Sequence, residues 1–145
     1  MDEKILLIDD DCAFRDIATL VLEESGYQMR SVDCPARAFP LLAKERMDLV
    51  LCDMHMPFIT GEFEEEYLFS YETGVRTIQE IHYALPELPI VGLSAMPQCD
   101  LDRISGQVLP HAILSKPQDC RALVKIVEVF LEASRAKTEA ALFVV

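Results

Sequence analysis

The sequence predicts a doubly wound α/β domain, a parallel sheet covered by helices on both faces. Short apolar runs alternate with longer amphipathic segments along the chain. The runs are continuously apolar rather than alternating, as suits strands buried on both sides. At 145 residues the chain has the length of one domain. A chain of this size buries roughly 70% of its extended surface and needs no covalent staple.

The first run, "KILLID" (4–9), leads into a helix over 11–25. Asp11 is placed to cap it, Phe14, Ile17, Ala18, Val21 and Leu22 recur at helical spacing, and Gly26 ends it. The second run is "YQMRSV" (27–32), followed by a shorter helix over 35–46 with Ala38, Phe39, Leu42 and Ala43. After the third run, "DLVLCD" (48–53), a helix over 74–84 places Val75, Ile78, Ile81 and His82 on one face. The fourth, "PIVGLS" (89–94), precedes a polar, weak helix over 97–107. The fifth, "AILS" (112–115), precedes the clearest helix, about 118–136, with a stripe of Leu123, Ile126, Val127, Phe130 and Leu131 and Asp119 as cap. The domain is therefore expected over 1–136, with a short C-terminal tail at 137–145.

One connection breaks the rhythm. "FITGEFEEEYLFSYETG" (58–74) is long where about 2–6 residues are usual. Its Phe63, Tyr67 and Tyr71 fit helical spacing, and Tyr67, Phe69 and Tyr71 fit strand alternation. The rings either fold back onto the domain or form a patch for a partner or a second copy.

Composition narrows the function. Net charge is −12, from 25 acidic and 13 basic residues. Such a domain is repelled by nucleic-acid backbones and anionic lipid, so its partners are expected to be proteins or a bound cation. Five cysteines, an odd number without close pairs, do not make a disulfide framework or a zinc site. Cys52 reads as an inert core thiol, and His82 and His111 as structural residues. The acidic N-terminus is unlike a signal peptide. No run approaches the ~18 apolar residues that span a bilayer. The expected location is the cytoplasm.

The chemistry lies at the strand ends. In a parallel sheet joined by right-handed crossovers, all carboxyl ends share one edge. The first strand ends in Asp9 and Asp10, the third in Asp53 and the fourth in Ser94. Lys116 and Pro117 follow the fifth. Crowded carboxylates repel, and a hard cation such as Mg²⁺ relieves them. A pocket with a metal, a lysine and a hydroxyl suits an anion with several oxygens, phosphate above all. Asp53 is then a nucleophile toward phosphorus, forming an aspartyl phosphate.

The pieces "ILLIDDD" (5–11), "LVLCDMHMP" (49–57), "LPIVGLSA" (88–95) and "ILSKP" (113–117) stand in one order over about residues 3–135. In them the chain resembles the receiver domain of two-component response regulators, of the single-domain, chemotaxis-regulator-like kind. The resemblance implies a flavodoxin-like, five-stranded parallel sheet of order 2-1-3-4-5 flanked by five helices. It implies Asp53 as phosphoacceptor, with Mg²⁺ on Asp10, Asp53 and the backbone carbonyl of His55, and Asp9 acting through bound water. Ser94 would be the switch hydroxyl, Ala95 would offer its backbone N–H, and Lys116 would pair with the phosphoryl oxygens. The side chains of His55 and Met96 would set the lifetime of the phosphoryl group, with the imidazole at the pocket rim.

By the same resemblance the donor is a histidine kinase or histidine phosphotransfer protein. Phosphorylation would switch affinity for a downstream protein target. The chain would not be an enzyme beyond its own phosphorylation and dephosphorylation. The moving surface would be the 97–107 helix, the fifth strand and the last helix. Self-association would use that face or the 58–74 loop. Two features depart from the family. Ile113 stands where an aromatic is usual, three positions before the lysine. The stretch from Asp53 to Ser94, 94 − 53 = 41 positions, is longer than usual. They keep open an alternative, a receiver-like interaction module that works without phosphate. A phosphatase of the haloacid-dehalogenase type wants D-x-D-x-T/V, which "DDDCA" (9–13) fails at its last position.

Overall fold

A computed structural model describes residues 2–59, 71–97, 112–117 and 119–142. The five apolar runs become strands β1 (Lys4–Ile8), β2 (Gln28–Val32), β3 (Leu49–Asp53), β4 (Ile90–Ser94) and β5 (Ala112–Ser115). They form one parallel sheet in the order β2-β1-β3-β4-β5. Among the described residues there are four helices, α1 (Cys12–Glu24), α2 (Pro35–Lys44), α3 (Glu72–Ala84) and α4 (Arg121–Leu142). The helix expected over 97–107 lies, beyond its first residue, outside the described residues, as do Phe63, Tyr67, Phe69, Cys99 and His111.

Strand pleating sorts the core into two layers. Leu6, Ile8, Val50, Cys52 and Ile90 face α2 and α3, where Ala38, Ile78 and Ile81 meet them. Ile5, Leu7, Leu49, Leu51, Val91 and Leu93 face α1 and α4, against Ala18, Leu22, Leu123, Val127 and Leu131. The central strands β3 and β4 are buried at every residue. The edge strand β2 exposes Gln28, Arg30 and Ser31, which accounts for its polar sequence.

Local chemistry sets the helix ends. Asp11 caps α1, its side chain accepting the Phe14 N–H. Gly26 follows α1 at φ 99°, a left-handed conformation that glycine adopts without strain. Pro35 opens α2, where its missing N–H costs nothing. Asp119 accepts the Arg121 N–H at the start of α4.

Two boundaries and one buried face differ from expectation. Helix α3 starts at Glu72 rather than at 74, and Tyr71 packs against the core. Helix α4 continues to Leu142 rather than ending near 136, because "KTEAAL" (137–142) contains good helix formers and neither glycine nor proline. On α1, Ile17 is 53% exposed although its spacing suggested the core. The stripe centres on Ala18 and Leu22, and Ile17 turns outward beside Leu20.

Among the described glycines, Gly74 lies closest to a neighbouring backbone. A β-carbon there would lie 2.5 Å from the Met54 Cα and 2.8 Å from its carbonyl oxygen. Helix α3 can therefore seat against the backbone that follows Asp53 only through a residue without a side chain. Gly74→Ala is expected to lower unfolding free energy by about 1–3 kcal/mol, as overpacking does. At Gly92 the closest neighbour is the flexible Met54 Sδ, at 2.8 Å, so Gly92→Ala should cost less than Gly74→Ala. Urea unfolding of the two variants checks the order.

Candidate functional site

The parallel sheet delivers the acidic residues to one edge. Asp9 follows β1, and its N–H continues the ladder to the Val32 carbonyl at 3.1 Å. Asp53 closes β3, paired in register with Leu93 of β4. The next residue extends the ladder, Met54 N–H donating to the Leu93 carbonyl. Oxygens of Asp9, Asp10 and Asp53 all lie within 4.8 Å of one another. Asp9 and Asp53 are buried, and Asp10 reaches solvent.

Each acid is held differently. Asp9 Oδ1 accepts the Asp11 N–H at 2.9 Å, and its carbonyl oxygen accepts Arg15 Nη1 at 2.7 Å. Lys116 Nζ lies 2.6 Å from Asp9 Oδ2. That approach is an ion pair without hydrogen-bond alignment, so Oδ2 accepts no hydrogen bond among the described residues. The same ammonium sits over the Phe14 ring, 4.1 Å from its centroid. Asp53 Oδ1 accepts a long hydrogen bond, 3.3 Å, from the His55 N–H.

The crowding shifts proton affinities. Burial, followed by the Asp9 charge, pushes the Asp53 carboxyl up to about 8, against the pull of Lys116 and the His55 N–H. Burial and Asp9 also raise Asp10, partly offset by a hydrogen bond with Asp53. Three clustered carboxylates faced by one lysine, with the Asp53 carboxyl raised to about 8, describe a site short of positive charge. The donors are all hard oxygens, so the acidic pocket fits a divalent cation.

Ser94 ends β4 and is fully buried. Its Oγ accepts the Met96 N–H at 3.0 Å and lies 2.9 Å from His55 Nε2. The imidazole expected at the rim is therefore engaged with Ser94. Ala95, the next residue, is exposed. Ile113 on β5 is 4% exposed and belongs to the α2–α3 layer of the core. Cys52 is buried, and burial pushes its thiol well up, as an inert core residue requires. Sequence reading missed the Phe14 and Arg15 contacts. The signal was present, since both residues lie in the first turns of the helix that follows the acids.

A family model for the response regulator receiver domain matches residues 5–128. The response regulator protein FleR of Pseudomonas aeruginosa is 28% identical over 127 residues, covering 88% of this chain and 24% of its own length. Sporulation initiation phosphotransferase F of Bacillus subtilis is 39% identical over 61 residues, 42% of this chain and 49% of that protein. A CheY-like response regulator receiver domain protein from Methanospirillum hungatei superposes with a TM-score of 0.76 at 19% identity, over 94% of this chain and 99% of that one. That structural likeness concerns the fold. The chain spans about a quarter of FleR and about half of the phosphotransferase.

In the metal-free protein, folded Asp53 keeps a proton that the unfolded chain has released above its ordinary value of 3.8. The stability tied to Asp53 is thus full below about pH 4 and falls as pH rises toward 8. Thermal unfolding across this range should show Asp53→Asn gaining on the wild type, by up to about 1.4 kcal/mol per pH unit. Excess divalent cation should narrow the gap. A gap that ignores pH would count against a protonated, buried Asp53.

Proposed function

The chain belongs to the response regulator receiver family, and from that premise we propose that it accepts a phosphoryl group on Asp53 in a Mg²⁺-dependent reaction and so switches its affinity for a protein partner. One observation carries this reading. Three carboxylates converge within 4.8 Å and Lys116 reaches the same cluster, although these residues are scattered from position 9 to 116.

Asp10, Asp53 and the His55 carbonyl would hold the ion, with Asp9 acting through a water. Held there, the ion would supply positive charge to the acidic pocket and offset charge on the transferring group. Asp53 attacks phosphorus through a carboxylate oxygen. The bond from phosphorus to the donor's imidazole nitrogen breaks, its electron pair leaves with the imidazole, and an aspartyl phosphate remains. Lys116 pairs with phosphoryl oxygens, already aimed into the cluster by Asp9 and Phe14. The Ser94 hydroxyl and the Ala95 N–H bond the same group from the end of β4.

The donor is a histidine kinase or histidine phosphotransfer protein, and the output is a population shift between two conformations with different contacts to the target. The partner-facing surface comprises the 97–107 segment, β5 and α4, which also serves self-association. Such signalling belongs in the cytoplasm. Among the described residues no helix is long and apolar enough to cross a membrane.

Incubation with Mg²⁺ and a small-molecule phosphodonor should add one phosphoryl increment to the intact mass, and Asp53→Asn should abolish it. Lys116→Met should slow uptake on the order of a hundredfold, the usual cost of losing one group that stabilises developing charge. No increment with any donor or divalent metal would favour the phosphate-independent interaction module instead.

A further inference from the structure

We infer that the His55 imidazole is a latch on the Ser94 hydroxyl, holding it in a resting position that a phosphoryl group on Asp53 must break. The inference rests on the phosphoacceptor reading of Asp53 and adds a regulatory residue to that site.

Ser94 is fully buried, so water does not readily substitute for its partners. Its hydroxyl has one proton to give and two lone pairs. The Met96 N–H occupies an acceptor position at 3.0 Å, and His55 Nε2 stands at 2.9 Å. With the ring neutral and its proton on Nδ1, the Ser94 proton is donated to Nε2. A phosphoryl oxygen needs that same proton. The two acceptors compete, and Ser94 serves one at a time.

His55 is well placed for the exchange. Its backbone N–H reaches Asp53 Oδ1 at 3.3 Å while its ring reaches Ser94. One residue therefore touches both the acceptor carboxyl and the hydroxyl that responds to it. Release of Ser94 is also felt on β5. The Ser94 carbonyl accepts the Lys116 N–H, and the Met96 carbonyl accepts Ser115 Oγ at 2.7 Å. These bonds tie the end of β4 to the end of β5, where Ile113 provides no aromatic ring to swing.

Removal of the latch should favour the phosphoryl-bonded state by the net worth of one neutral hydrogen bond, about two- to tenfold in affinity. The probe is beryllofluoride, a tetrahedral phosphoryl mimic that bonds a carboxylate oxygen, titrated calorimetrically into the full chain with excess Mg²⁺. His55→Ala should bind it about two- to tenfold more tightly than wild type. His55→Gln, whose amide oxygen accepts the same bond, should stay nearer wild type. In a Ser94→Ala background, His55→Ala should have no further effect. Unchanged or weaker binding by His55→Ala, or a gain that persists without the Ser94 hydroxyl, overturns the latch and leaves the Asp53 reading intact. Failure of wild type to bind beryllofluoride at all overturns the Asp53 reading and the latch together.

Discussion

Three carboxylates meet within 4.8 Å at the carboxyl edge of the sheet, and Lys116 answers them at 2.6 Å from Asp9. Much of the local structure is arranged to keep that charge balance in place. Arg15 ties down the Asp9 backbone, the Asp11 N–H fixes one Asp9 oxygen, and the Phe14 ring supports the ammonium. Asp53 still holds a proton near neutrality, because burial costs its charged form more than one lysine returns. A site left short of positive charge in this way is predisposed to a divalent cation and to an anion that arrives with it.

Packing translates into aim. Strand β3 is buried along its whole length, so Asp53 has little freedom to move relative to β1 and β4. Beyond it the ladder continues through Met54, and α3 closes onto the same backbone at Gly74. The connection that leaves this point carries the unusual length of the chain.

On the proposed reading, the buried hydroxyl of Ser94 would be the two-state element. Its resting partners are His55 and the Met96 backbone, and its neighbours on β5 are reached through backbone hydrogen bonds. Ile113 is buried in the core and offers no ring to change sides, so on the proposed reading change would pass through the polar contacts at the strand ends. A ligand shifts such an equilibrium only by its differential contacts in the two states. In the proposed latch, the bonds around Ser94 would supply that difference.

The sequence by itself determined the strands, their parallel character and the edge on which the acids meet. Continuous apolar runs and their spacing carry that information directly, since burial on both faces forbids alternation. It also offered Asp9, Asp10 and Asp53 as candidates, because carboxylates at the ends of apolar strands have no packing reason to be there, and Ser94 and Lys116 through their convergence on the same edge. It misplaced Ile17, whose spacing fits either edge of the α1 stripe, and it ended α4 early, since helix formers past a domain's last contact carry no stop signal. Tertiary structure alone decided that Lys116 rests on Phe14, that Gly74 must lack a side chain and that the His55 ring bonds Ser94. These contacts join residues up to 102 positions apart (116 − 14). Their existence depends on how helices seat against the sheet, which no local pattern along the chain encodes.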